Sequence, residues 1–290
     1  EGFAMAGCML RIQEMMGSLT NKEQQIASYI LDHSSDVVHM SIDELASACN
    51  VSVSSVIRLC KTLGYSGYKE LCRVLSMDLA LNQQDNITYT DVRPGDSIRN
   101  IIRSVSLNSV KAIENTMAVL DETELEKAVR AVSQARRVDF YGVGTSGTVA
   151  LDAHNKFLRI NKISVASSDP HLQVLAATTL TPEDVAVLIS YTGETKDILE
   201  TADVIAETGA TIVSITRYGR NPLSDRPAIR LCSSASETLI RSATMGSRIG
   251  QLSIIDMLYT AVVSQDYDVA KRHIDKTRLI TARKRIRSGN

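Results

Sequence analysis

In the second half of the chain, short apolar, β-rich runs alternate with amphipathic helical stretches, and no other feature of the sequence narrows the possible folds as much. The runs are Val138–Tyr141, Ile163–Ala166, Val185–Ser190, Thr211–Thr216 and Ala228–Cys232. Strands that are apolar throughout are buried on both faces, and strands joined through helices run parallel. The expectation is a doubly wound α/β domain with a parallel sheet, preceded by helices over Ile98–Val119 and Glu122–Gln134 and closed by long helices from Glu237 onward.

The first half has a different texture, helical throughout up to about Leu81. Thr20-Asn21-Lys22-Glu23 has the spacing of a capping box, with Ile26, Ala27, Ile30 and Leu31 following at helical intervals. Ser41-Ile42-Asp43-Glu44 is a second box. Between the halves lies NQQDNITYTDVRPGDS, a polar stretch from Asn82 to Ser97 with Pro94-Gly95 and no sustained period, which reads as a linker. The domain boundaries expected are therefore 5–81 for an all-α domain, 82–97 for the linker and 98–290 for the sheet domain.

Residues 42–63, IDELASACNVSVSSVIRLCKTL, fit a helix-turn-helix. Leu45 and Ala46 supply the apolar face of the first helix, with a small residue where the two helices cross. Asn50 falls where the turn wants a left-handed residue, and asparagine tolerates that conformation better than any side chain but glycine's hydrogen. Ser52 can cap the second helix, Val56 and Leu59 point inward, and Gly64 ends it. This leaves Ser54, Ser55, Arg58, Lys61 and Thr62 on the outer face, with the cap Ser52 at its N-terminal end. The N-terminal part of such a helix enters the major groove, where arginine reads guanine and hydroxyls and lysine suit phosphates. From Val51 to Leu75 four basic residues face one acidic, although residues 1–80 as a whole hold six basic and nine acidic. A helical cap that only packs on the sheet domain is the alternative.

Two loops in the second half carry anion-binding chemistry. YGVGTSGTVALD, Tyr141 to Asp152, places Gly142, Gly144 and Gly147 at the spacing G-x-G-x-x-G after a strand and before a helix. Loop amides and a helix N-terminus there can hold a phosphate. A dinucleotide site would also use an acidic residue about 20 positions on, and Asp169 keeps that reading open. LISYTGETKD, Leu188 to Asp197, is a second strand running into a hydroxyl-rich loop, with Ser190, Thr192 and Thr195 around Gly193. A dinucleotide has no need of that second loop. A compact phosphate can accept from hydroxyls and amides at two adjacent strand ends. Serines and threonines that only cap helices are the ordinary alternative.

The composition excludes several classes. The chain has 290 residues, 44% hydrophobic and 22% charged, enough for two domains with substantial cores. No signal peptide and no membrane-spanning run is visible, and the five cysteines (Cys8, Cys49, Cys60, Cys72 and Cys232) are scattered without a C-x-x-C, which fits reduced thiols in a cytoplasm and gives no metal site. The net charge of −1 is uninformative, but Lys271 to Arg287 holds eight basic residues against Asp275, either a solvated helix face or a surface for DNA or a partner subunit.

GVGTSG followed by SYTGET resembles the phosphosugar-binding SIS (sugar isomerase) domain, and with the helix-turn-helix the chain resembles the RpiR family of bacterial transcriptional regulators over roughly residues 10–285. The resemblance implies a flavodoxin-like SIS domain that senses a sugar phosphate and mediates dimerisation, as a homodimer or dimer of dimers, and an N-terminal domain that binds a palindromic operator. No cofactor, metal or membrane is implied. Carried over by position, Ser146 and Ser190 are phosphate ligands helped by Thr145, Thr192 and Thr195. The surrounding Gly144, Tyr191 and Gly193 and the later Glu237 complete the candidate set. The later loop's usual second serine is Thr192 here. Related SIS enzymes use a carboxylate and often a histidine for proton shuttling. Glu194, Glu237 and His171 are the residues available for that, but Glu237 also fits dipole compensation in a first helical turn and no acid–base pair stands out. A regulator is the expected function, and a sugar-phosphate isomerase is the alternative.

Overall fold

The computed structural model describes residues 8–82, 94–226, 228–234 and 245–282. The expected linker therefore falls largely outside the described residues, as does Glu237. The described residues form two compact units, one within 1–119 together with Tyr218–Arg220, the other within 120–217 and 221–290.

The first unit is helical: α1 (Cys8–Met15), a short 3-10 turn, α2 (Asn21–Asp32), α3 (Ser34–Val37), α4 (Ile42–Ala48), α5 (Val53–Thr62), α6 (Tyr68–Asn82) and α7 (Ile98–Val119). Its core joins Ile26 and Ile30 of α2, Leu45 of α4, Val56 and Leu59 of α5, and Leu71 and Leu75 of α6, all but inaccessible to solvent. Both capping boxes form. In the second, Ser41 N donates to Glu44 Oε2 at 2.6 Å and Glu44 N donates to Ser41 Oγ at 3.2 Å. Asn50 has φ 50°, and Val51 N donates to Ala46 O at 2.9 Å, closing the turn between α4 and α5. The helix-turn-helix thus forms where the sequence places it.

The second unit comprises α8 (Glu122–Gln134), β1 (Val138–Gly142), α9 (Thr145–Arg159), α10 (Pro170–Ala177), β2 (Val185–Ile189), α11 (Lys196–Thr208), β3 (Thr211–Arg217), β4 (Ile229–Ser233), α12 (Met245–Gln265) and α13 (Tyr267–Ala282). The four strands form one parallel sheet in the order β1-β2-β3-β4. Successive residues of a strand serve opposite cores. Phe140, Val187, Ile189 and Ile215 pack with α8, α9 and α12, whereas Tyr141, Ala186 and Leu188 pack with α10 and α11. Apolar residues on both faces explain why β2, VAVLI, reads as an unbroken hydrophobic run.

The fifth expected strand, Ile163–Ala166, is reduced to two parallel bridges beside β1, Arg137 with Ile163 and Phe140 with Ala166. Val138 N and Phe140 N still donate to the carbonyls of Ile163 and Val165 at 2.9 Å. The Val165 amide, however, donates to the buried carboxylate of Asp139 at 2.9 Å, a side-chain bond that anchors the segment. With this segment counted, the spatial order is second-first-third-fourth-fifth, the flavodoxin-like winding. Its switch point lies between β1 and β2, where open α/β sheets bind ligands beyond the carboxyl ends of their strands.

Candidate functional site

Both hydroxyl-bearing loops leave the sheet at that switch point. Gly142 ends β1 in register with Ile189 at the end of β2, so the glycine loop and the loop that starts at Ser190 spring from adjacent strand ends. After β1 the chain turns sharply: Gly142 and Gly147 lie too close to neighbouring backbone for any side chain, and Gly144 takes φ 59° and ψ −125° as the N-cap of α9. Thr145 and Ser146, both half-buried, form the first turn of α9. Ser146 Oγ meets the side chain of Gln251 from α12, with Nε2 at 3.2 Å and Oε1 at 3.4 Å.

In the second loop Ser190 is 2% exposed, and its amide extends the ladder to Ile215 O at 3.0 Å. Gly193 N donates to Ser190 O at 3.1 Å, closing a tight turn in which Gly193 has φ 68°. Ser190 Oγ and Thr195 Oγ1 lie 3.1 Å apart. Thr192 Oγ1 accepts from Glu194 N at 3.2 Å, and Tyr191 O accepts from Arg217 N at 2.7 Å. The Glu194 carboxylate is 3.7 Å from Arg217.

The helices that follow the two loops are not capped by these side chains. Thr195 holds the N-cap position of α11 yet makes no capping bond and turns its hydroxyl to Ser190, while the N-cap of α9 is Gly144, which has no side chain to offer. In contrast, Asp121 caps α8 and Asp169 caps α10, accepting from His171 N at 2.9 Å. That cap commits Asp169 Oδ1, one oxygen of the carboxylate that the dinucleotide reading would assign to a ribose, to the helix N-terminus. Two helix N-termini without side-chain caps, beside three hydroxyls at a switch point, make a place where loop amides, helix dipoles and hydroxyl donors can act on one anion.

Three contributors to this site escape sequence reading. Gln251 and Gln173 are both 1% exposed; Gln173 Nε2 donates to Gly142 O and Ser167 O, each at 2.8 Å, and so ties the end of β1 to α10. Asn221 packs against Gly193, where a Cβ would lie 1.9 Å from its Oδ1. Gln251 repeats with Ile254, Ile255 and Leu258 on the buried face of α12, so a polar residue at a core position was the available signal. Among the described residues no group of His, Cys, Asp and Glu could hold a metal ion. All five cysteines are free, and burial raises the thiols of Cys8 to about 12 and Cys60 to about 11.

In the first unit, α5 presents Ser54, Arg58, Lys61 and Thr62 to solvent, together with Ile57 at 40% exposure. Ser55, expected on this face, is buried: the cap Ser52 accepts from its amide at 3.3 Å, and the two hydroxyls are 2.9 Å apart. Helical phase buries it: Ser55 lies one turn before Leu59 and beside Val56 on the buried face of α5. Ser54 Oγ also lies 2.8 Å from Ser52 Oγ. Thr62 donates to Glu23 Oε1 at 2.9 Å, and Arg58, 62% exposed, lies 3.9 Å from the same carboxylate. Burial would raise the Glu23 carboxyl, but the hydroxyl and amide of Thr20, then Thr62 and Arg58, hold it below the usual carboxylate value.

Comparison with known proteins fits this architecture. Residues 6–82 match the helix-turn-helix domain of the rpiR family, and residues 131–261 match the SIS domain. An uncharacterized HTH-type transcriptional regulator of Caldanaerobacter subterraneus subsp. tengcongensis is 39% identical over 282 residues, 97% of this chain and 99% of that protein. The HTH-type transcriptional regulator HexR of Pseudomonas aeruginosa is 33% identical over 258 residues, 89% and 90% of the two chains. Among solved structures, the Vibrio vulnificus NanR protein complexed with ManNAc-6P has the same fold, with a TM-score of 0.60 at 24% identity over 96% of this chain and 99% of that one. The chain belongs to the RpiR family of HTH-type transcriptional regulators, with an N-terminal helix-turn-helix and a C-terminal SIS domain.

Proposed function

We propose that this regulator binds a palindromic operator through α5 and senses a sugar phosphate at the loops after β1 and β2. The observation that carries the effector reading is that Thr195, at the N-cap position of α11, turns its hydroxyl to Ser190 instead of capping the helix, and that α9 has Gly144 as its N-cap, so both helix N-termini lack a side-chain cap beside the hydroxyls of Ser146, Ser190 and Thr195. The NanR complex with ManNAc-6P supports the ligand class. Ser146 and Ser190 would take phosphate oxygens, with Thr145, Thr192, Thr195 and the amides of Gly144, Tyr191 and Gly193 around them, and Glu237 on the sugar. Residues 5–81 would form the DNA-binding domain, joined by 82–97 to an effector domain over 98–290 whose first helix, α7, groups with the first compact unit, in a cytoplasmic homodimer. The chain would act without catalysis, in keeping with relatives named as transcriptional regulators, and Glu194 is held in an ion pair 3.7 Å from Arg217.

Ligand binding can move the operator equilibrium only if the DNA-competent and incompetent states bind the effector with different affinity. Ser52, Ser54, Arg58 and Lys61 are the DNA contacts, and two-fold symmetry would set half-sites one helical turn apart or a multiple of it. A thermal-shift panel of hexose, amino-sugar and pentose phosphates with NAD(H), on the wild type and Ser190→Ala, tests the effector reading. Stabilisation by a sugar phosphate that Ser190→Ala abolishes is expected. Stabilisation by NAD(H) alone would overturn the reading, and turnover of a sugar phosphate would establish the isomerase instead.

A further inference from the structure

We infer that Gln251 is a positioning residue of the effector site, whose amide N–H donates to Ser146 Oγ and so leaves the Ser146 proton to be donated to a bound anion. The inference rests on the effector reading above.

Gln251 reaches Ser146 across 105 positions of sequence, from α12 to the first turn of α9. It is 1% exposed on a helix face that also carries Gly246, Ser247, Gly250, Ile254, Ile255, Leu258 and Val262. A buried amide there costs free energy unless it is hydrogen-bonded, and an aliphatic side chain would pack without that cost. Its side-chain amide meets the serine of the glycine loop.

Both amide atoms of Gln251 are within reach of Ser146 Oγ, Nε2 at 3.2 Å and Oε1 at 3.4 Å. A serine hydroxyl has one proton and two acceptor sites. If the proton goes to Oε1, the hydroxyl has nothing to donate to a ligand. If Nε2 donates, the proton is free to point into the loop. An anion above the loop selects the second arrangement, because it attracts the hydroxyl proton and repels Oε1. The chain Nε2–H to Oγ–H to anion then runs in one sense, and each bond polarises the next. Gln251 thereby acts on the ligand through Ser146, without touching it.

The test titrates the full chain with inorganic phosphate at pH 7.5, following the thermal midpoint, for the wild type, Ser146→Ala, Gln251→Met, Gln251→Glu and Ser146→Ala/Gln251→Met. Ser146→Ala is expected to weaken phosphate binding roughly tenfold, the size of one charge-assisted hydrogen bond. Gln251→Met should weaken it about three- to tenfold. Gln251→Glu should weaken it further, since its carboxylate can only accept the Ser146 proton. The double variant should bind as weakly as Ser146→Ala and no more so, because the effect of Gln251 passes through that hydroxyl. Additive losses in the double variant, or unchanged affinity in both Gln251 variants while Ser146→Ala is impaired, would overturn the inference and leave the effector site standing. Unchanged affinity in Ser146→Ala would remove the effector reading and this inference with it. Gln251→Glu, close to the native shape, gives the answer if the methionine variant fails to fold.

Discussion

Gly142 and Gly147 pack against each other's backbone across the turn from β1 to α9. A Cβ on Gly142 would lie 2.5 Å from the Ser146 carbonyl oxygen, and one on Gly147 would lie 2.9 Å from the Gly142 carbonyl oxygen. Gly144 between them has open space around it, and its need for glycine is conformational, at φ 59° and ψ −125°. The two kinds of constraint predict different losses. Gly142→Ala should destabilise the sheet unit by about 2 kcal/mol or more, because backbone must move. Gly144→Ala should cost about 1–3 kcal/mol of local strain and distort the loop above the anion position. Urea unfolding of the full chain measures the first. Phosphate titration of Gly144→Ala, which should bind more weakly at equal fold content, measures the second.

The residues that specify the backbone were legible before the structure. The alternation of β-rich runs and helices, the two capping boxes and Asn50 at φ 50° all act locally, over a few positions, and local chemistry is what a sequence displays. The edge segment Ile163–Ala166 has strand composition, yet it pairs only at two bridges and is anchored by the Asp139 carboxylate, 26 positions from Val165. The site divides the same way. Ser146 and Ser190 could be picked from their loops, but Gln251, Gln173 and Asn221 act on those loops from far along the chain. Ser55 reads as outward because serine is polar, but it shares the buried face of α5 with Val56 and Leu59, and its hydroxyl is met there by Ser52.

Glu23 links the start of α2 to the end of α5 by accepting from Thr20 N at 3.0 Å and from Thr62 Oγ1 at 2.9 Å. Its carboxyl titrates below the ordinary value in the folded protein, because those bonds and Arg58 outweigh the burial that would raise it. The stability it contributes is thus fully present above the unfolded-state pKa, about 4.3. It is lost as pH falls through the lower folded value. Glu23→Gln should therefore cost about 1–2 kcal/mol at pH 7, and the deficit should shrink toward pH 3. Denaturant melts of both proteins from pH 7 to pH 3 check this; a gap that is constant with pH would show that charge is not involved.

On α5, Thr62 and Lys61 are neighbours with different commitments. The Thr62 hydroxyl is bound to Glu23, and Lys61 is exposed. Lys61→Ala should weaken operator binding and reduce the slope of log K against log salt by about 1, the signature of one lost phosphate contact. Thr62→Val should lower stability by about 1 kcal/mol and leave that slope unchanged. Arg58→Ala, which removes the longest exposed side chain of the helix, should cost about 1–3 kcal/mol on a selected operator and relax discrimination at one base pair of each half-site. Fluorescence anisotropy at several salt concentrations separates the three. Wild-type affinity in Arg58→Ala at physiological salt would remove α5 from the groove.

Gln173 holds two carbonyls at the top of the sheet with one NH2 group, Gly142 O and Ser167 O, both at 2.8 Å, while its own Oε1 is buried without a hydrogen-bond partner. The orientation of this amide is fixed by that arrangement, since reversing it would set Oε1 against both carbonyls. Gln173→Leu fills similar space and leaves the carbonyls unpaired, which should cost about 2–4 kcal/mol in total. Gln173→Glu should be worse at pH 7.5, where a carboxylate faces two carbonyl oxygens, and should recover part of the loss at pH 4.5, where a protonated carboxyl can donate to one of them. The sign follows from a folded-state pKa raised by that repulsion: the penalty grows as pH rises through the unfolded value. Melting midpoints of the two variants against wild type at pH 7.5 and 4.5 decide the point, and a glutamate variant no more sensitive to pH than the leucine variant would count against it.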